Sequence, residues 1–114
     1  MVRGLVKNFV AGAAVTANRI VKHGAADDAV IHGAAATDKL LGVADADAAS
    51  GARVDVVLSG VADVAYGGTV ARGDLLTADA NGKAVVASTG NRVVGVALVA
   101  GVAGDIGEVL LAQH

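Results

Sequence analysis

Cysteine is absent from this chain, which excludes a disulfide framework and a thiolate metal site. Proline is absent too, so no apolar stretch is disqualified as a strand on that ground. Aromatic residues are almost missing: Phe9 and Tyr66 are the whole complement of a 114-residue chain. Large rings usually supply much of the buried area of a core. The 54% hydrophobic content, made largely of Ala and Val, therefore describes a lean core. A lean core of one-domain size is expected to gain stability from partner subunits or from a surface on which the protein sits. An excess of positive charge is also missing. Net charge is −2 with acids and bases interleaved. Arg3, Lys7, Arg19 and Lys22 are too sparse to form a phosphate footprint, which argues against direct nucleic-acid binding. No apolar run reaches membrane-spanning length. The first residues mix positive charge with Ala, but Lys7 and Asn8 split the apolar stretch that a secretory signal needs.

What the chain does contain is a repeat. Residues 38–58 (DKLLGVADADAASGARVDVVL) and 91–111 (NRVVGVALVAGVAGDIGEVLL) align without a gap at an offset of 53 (95 − 42). The shared pattern is [DN]-[KR]-[LV]-[LV]-G-V-A, a spacer ending in Gly51 or Gly104, an acid at Asp55 or Glu108, and a closing apolar triplet. Each copy reads as strand, small-residue turn, strand. Residues 1–17 lack clear alternation and read as an N-terminal arm preceding a β domain over 18–114. A hairpin is expected over residues 18–32. A further strand should run through 61–66, with Gly60 as a bend and Tyr66-Gly67-Gly68 as its end. Asn81-Gly82 should turn a hairpin between 75–78 and 84–87, because Asn-Gly supplies positive φ. Residues 93–100 are apolar almost throughout, the pattern of a strand covered on both faces. The last strand is expected over 106–112. About nine strands separated by Gly-rich turns predict an all-β fold, a small compact barrel or sandwich with an N-terminal arm.

The polar residues form no recognisable site. His23 and His32 should approach each other across the first hairpin, but two imidazoles without a third ligand make a poor metal site. His114 stands alone at the end. Asp45-Ala46-Asp47 begins like a calcium loop, yet Ala49, Ser50 and Val56 fill the positions where that loop needs a ligand, a Gly and a Glu. Arg72-Gly73-Asp74 spells an adhesion tripeptide and reads more simply as a turn entering the strand at Leu75. Ser50, Ser59 and Ser88 lack a nucleophile-elbow context. Asp27, Asp28, Asp45, Asp47, Asp55 and Asp63 fall in loops or on alternating strand positions, as a solvated face requires. No catalytic residue, cofactor site or metal site is assigned.

Several runs, in order, resemble one family. They are Arg19-Ile-Val-Lys-His-Gly-Ala-Ala-Asp27, Ala35-Ala-Thr-Asp-Lys-Leu-Leu-Gly-Val-Ala44, Gly51-Ala-Arg-Val-Asp-Val-Val-Leu-Ser-Gly60, Gly73-Asp-Leu-Leu-Thr-Ala-Asp-Ala-Asn-Gly-Lys83 and Gly95-Val-Ala-Leu98. Together they are similar to the capsid decoration, or cement, proteins of tailed phages, over roughly residues 19–112. The resemblance implies a β-rich structural protein on the outer capsid surface of a virion, assembled in the host cytoplasm. It implies the major capsid protein as partner and a homotrimer or a dimer as the bound form. It carries over no catalytic residue. The arm departs from the family pattern. Its apolar Leu5, Val6, Phe9 and Val10 are expected to contact the capsid or a neighbouring subunit, since exposed apolar residues on a free end need a partner. The competing class is a small binding module for a cell-surface or carbohydrate ligand, which would want exposed aromatics.

Overall fold

The computed structural model describes residues 4–35 and 38–111. Expectations for Arg3, His114 and the end of the last strand at Ala112 lie outside the described residues. Ten strands form and, among the described residues, no helix. The first five are β1 (Val6–Ala11), β2 (Ile20–His23), β3 (Ala29–His32), β4 (Leu40–Ala44) and β5 (Arg53–Val57). The second five are β6 (Gly60–Ala65), β7 (Leu75–Ala78), β8 (Ala84–Val86), β9 (Gly95–Ala97) and β10 (Ile106–Leu111).

The two sets of five are two copies of one small barrel. The first closes in the order β1-β3-β2-β4-β5, and the second has the order β6-β10-β9-β7-β8. Matching β6–β10 to β1–β5 in chain order gives the same neighbours throughout. In the second copy a single parallel bridge, Tyr66 to Ala84, joins β6 to β8 where β1 meets β3 in the first. The registers agree residue for residue. Val43 faces Val57 as Val96 faces Leu110, and Ile20 faces Val43 as Leu75 faces Val96. Val6 faces Val57 as Val61 faces Leu110. Turn bonds recur as well: Gly51 N–H donates to the Ala11 carbonyl at 2.7 Å, and Gly104 N–H to that of Tyr66 at 3.0 Å. Asn18, the one non-glycine residue with positive φ among those described (65°), has Gly73 (93°) as its counterpart. The repeat expected for 38–58 and 91–111 thus adopts equivalent strand–turn–strand units, and it extends over both halves of the chain.

The arm expected over residues 1–17 requires correction. Val6–Ala11 is β1, hydrogen-bonded along its length to β5 and parallel to β3. Phe9 and Ala11 point into the first barrel, whose interior they share with Val15, Val21, Val30, Ala44, Val54 and Val56. The alternation was masked because Lys7 has the same parity as Phe9. It sits at the barrel end and lays its ammonium 4.4 Å from the centre of the Phe9 ring, a favourable cation–π contact. Leu5 is exposed, Val6 packs against the other core cluster, and Val10 is half-buried. Phe9 is therefore spent on the chain's own core, which leaves Leu5 as the exposed member of that expected set.

The halves are fused by a shared core. Ile20, Leu40, Val43 and Val57 belong to the first barrel but cluster with the interior of the second. Adjacent strand residues point to opposite faces. Val56 thus fills the first barrel while Val57 faces the second, so the end of β5 is covered on both sides. The 79–83 turn also locks the seam. Gly82, with φ of 75°, accepts the Ile20 N–H at 2.7 Å, and the Arg19 guanidinium donates to the Asn81 carbonyl at 2.9 Å. Asp79 Oδ1 closes the turn by accepting the N–H groups of Asn81 and Lys83 at 2.8 and 2.9 Å.

Each barrel fills its interior differently. Tyr66 stands where the first barrel has Ala11, fully buried, and its hydroxyl donates to the Val99 carbonyl at 2.8 Å. Burial, with Asp105 adding to it, raises the phenol above its ordinary pKa and keeps it a neutral donor. Room for the ring comes from Gly101 and Gly107, where any Cβ would strike it. Their counterparts in the first barrel are Ala48 and Val54.

Candidate functional site

Polar side chains hold turns and strand ends together. The first hairpin forms, but its register sets His32 opposite Val21 and His23 opposite Val30. The two imidazoles therefore do not face each other. His32 is half-buried and its Nε2 accepts the Thr16 N–H at 2.9 Å. Burial, and secondarily the nearby Arg19, lowers its pKa below the ordinary value. Asp47 accepts the Ala17 N–H at 2.7 Å, which makes it a clasp between the β1–β2 and β4–β5 connections. Asp38 accepts N–H groups from Ala34 and Ala35 and meets Lys22 at 3.0 Å. The bond from Ala34, followed by that from Lys22, lowers its pKa. Asp28 is held low mainly by Arg53, at 2.9 Å, with help from Lys7. Asp74 accepts the Ala71 N–H at 2.9 Å, so the Arg72-Gly73-Asp74 tripeptide is a self-closed turn. Among the described residues no three His, Asp or Glu side chains gather as a metal site would require, and no pocket opens.

The informative surface is apolar and belongs to the second half. Leu75, Val86, Leu98, Val99, Val102, Ile106 and Leu110 are exposed there, against Leu5 alone among the described large hydrophobics of the first half. Two patches can be separated. One is the β9–β10 connection with its flanks: Leu98, Val99, Val102 and Ile106. The gapless alignment places Asp45, Ala46, Ala49 and Arg53 at the same positions of the first copy, so one barrel has an apolar tip where the other has a polar one. The other patch is a row across four strands, Leu75–Val96–Leu110–Val61. The expectation that 93–100 is covered on both faces fails here. Val94, Gly95 and Ala97 are buried, but Val96 is half-exposed and residues 98–100 are open. Sequence reasoning missed these patches, although the alignment carried the signal in Asp45 against Leu98 and Arg53 against Ile106.

A double barrel without pocket or metal cluster among its described residues, and with apolar patches on one half, matches a known group. The family model described as phage cement protein covers residues 1–112. The chain belongs to the phage cement protein family. Its fold is similar to the crystal structure of the head fiber gp8.5 N base of bacteriophage phi29. That match has a TM-score of 0.75 and 24% identity, and spans 95% of this chain and 93% of the other. No curated protein matches the chain. The family is one of structural phage proteins.

Proposed function

We propose that this cement protein binds the outer surface of the assembled capsid shell and stabilises it, with the major capsid protein as its partner and a homotrimer as the bound form. The protein would reach the shell after synthesis in the host cytoplasm and remain on the virion exterior. It makes no direct contact with nucleic acid or membrane and performs no catalysis. The family match over residues 1–112 carries this reading. The surface supports it. Leu98, Val99, Val102 and Ile106 give an apolar tip suited to docking on protein, and Leu5 offers a further exposed apolar side chain. Repetition over a shell would let modest contacts hold firmly, since each bound copy of an oligomer raises the effective concentration of the others.

The alternative of a carbohydrate or cell-surface module loses support, because Phe9 and Tyr66, the only aromatics, are both buried. Co-sedimentation with shells lacking the protein tests the proposal. Saturable binding and a higher shell disruption temperature are expected, and Val102→Asp with Ile106→Asp should weaken binding at least tenfold. Absence of binding to shells of the matching phage would sink the reading.

A further inference from the structure

The duplication leaves one half of an interface unused. In the first barrel the row Ile20–Val43–Val57–Val6 is covered: Ile20 is 0% exposed, Val43 and Val57 1%, and Val6 is packed against the same cluster. What covers it is one end of the second barrel, where Ala62, Ala78, Val94 and Leu111 join that cluster. In the second barrel the row of identical register, Leu75–Val96–Leu110–Val61, is partly open: Leu75 is 45% and Leu110 42% exposed, and Val96 and Val61 are half-buried. The covering end has its own counterpart in the first barrel: Lys7, His23, Leu41 and Leu58 match Ala62, Ala78, Val94 and Leu111. Leu41 and Leu58 are only partly buried there, and Lys7 and His23 are exposed. Each chain thus has one row and one barrel end packed on each other, and a second row and a second barrel end whose side chains remain partly exposed.

We propose that copies of this protein associate head to tail, the Leu75–Val96–Leu110–Val61 row of one chain seating on the Lys7–His23–Leu41–Leu58 barrel end of the next. The contact repeats between chains the contact already made within one. Asp63 and Glu108 stand opposite each other beside the row, and the receiving end carries the exposed Lys7, whose ammonium lies 3.5 Å from Asp28. Such a contact joins two different surfaces, so it generates a ring where the rotation closes. The proposal rests on the self-association in the reading above and not on capsid binding.

The test uses the purified chain without shells, with mass measured by light scattering during size exclusion. Wild type is expected to be an oligomer. Leu110→Asp, which removes the row, and Leu58→Lys, which removes the receiving end, should each be monomeric. Their equimolar mixture should give a dimer, because one intact surface of each kind survives. Leu75→Asp and His23→Glu, at exposed positions, serve where a first variant loses its β-sheet circular dichroism. A monomeric wild type overturns the proposal, as does an unchanged oligomer for the row variants. Self-association of Leu58→Lys and His23→Glu would also overturn it, by showing that row meets row. Co-sedimentation of the wild type with shells is read separately, so a correct ring on a protein that ignores shells would refute the cement reading alone.

Discussion

Tyr66 and its two glycines should behave as one unit, and a substitution cycle measures this. Tyr66→Ala empties the second barrel of its largest fully buried side chain and orphans the Val99 carbonyl. Large-ring truncations in cores cost about 3–5 kcal/mol, a large share of the roughly 5–15 kcal/mol that holds a domain together. Gly107→Val alone drives a branched side chain into the ring, and overpacking of that kind costs about 1–3 kcal/mol. Gly107 has no positive φ, so the backbone accepts a larger residue. Combining Tyr66→Ala with Gly101→Ala and Gly107→Val installs the Ala11, Ala48 and Val54 set with which the first barrel fills itself. The triple variant should recover much of the loss, with a favourable coupling of about 2 kcal/mol or more, within the range for residues in direct contact. Urea unfolding of wild type, singles and triple provides the free energies. If the costs add to within about 0.5 kcal/mol, as for independent sites, the volume-exchange argument is refuted.

Two further outcomes follow from single residues. Gly82→Ala should cost more than Gly90→Ala. Both have positive φ, a strain of about 1–2 kcal/mol for an L-residue, but only at Gly82 would the new Cβ stand 2.8 Å from the Ile20 carbonyl at the seam. Equal losses in thermal unfolding would refute the seam contact. Stability should also fall as pH drops below 6.5, the ordinary histidine value. With the folded pKa of His32 lowered, the unfolded chain binds the proton more readily just below that value, so the contribution present above it is lost on acidification. Protonation at Nε2 also removes the acceptor of the Thr16 N–H. Urea midpoints at pH 7.5 and 5.5 should differ in wild type and converge in His32→Val, and an unchanged difference in the variant would contradict the assignment.

The all-β class, the first hairpin, the final strand pair and the Asn81-Gly82 region were legible because ladder and turn residues act locally. A strand needs its own alternation and a turn its own Gly. The 38–58 and 91–111 repeat was legible for the same reason, since both copies must keep the pairings Val43–Val57 and Val96–Leu110 and the left-handed Gly51 and Gly104. The rest of the duplication was hidden by exchanges that leave a barrel's filled volume similar while changing which position supplies it. Phe9 answers to Val64, Ala11 to Tyr66, and Val54 to Gly107. Such exchanges erase similarity at the residues that weigh most in an alignment. β1 was misread for a related reason: Lys7 occupies an inward position at the barrel end, where its stem can lie on Phe9 and its ammonium reach water and Asp28. The surface patches were hidden differently. A residue such as Leu110 obeys the same strand pattern whether its outward face meets solvent or another barrel, and only its counterpart Val57, buried at the seam, distinguishes the two situations. Duplication therefore carries information that one copy alone does not. Where the same registered row is covered in one half and partly open in the other, the covered copy shows what kind of surface the open one fits.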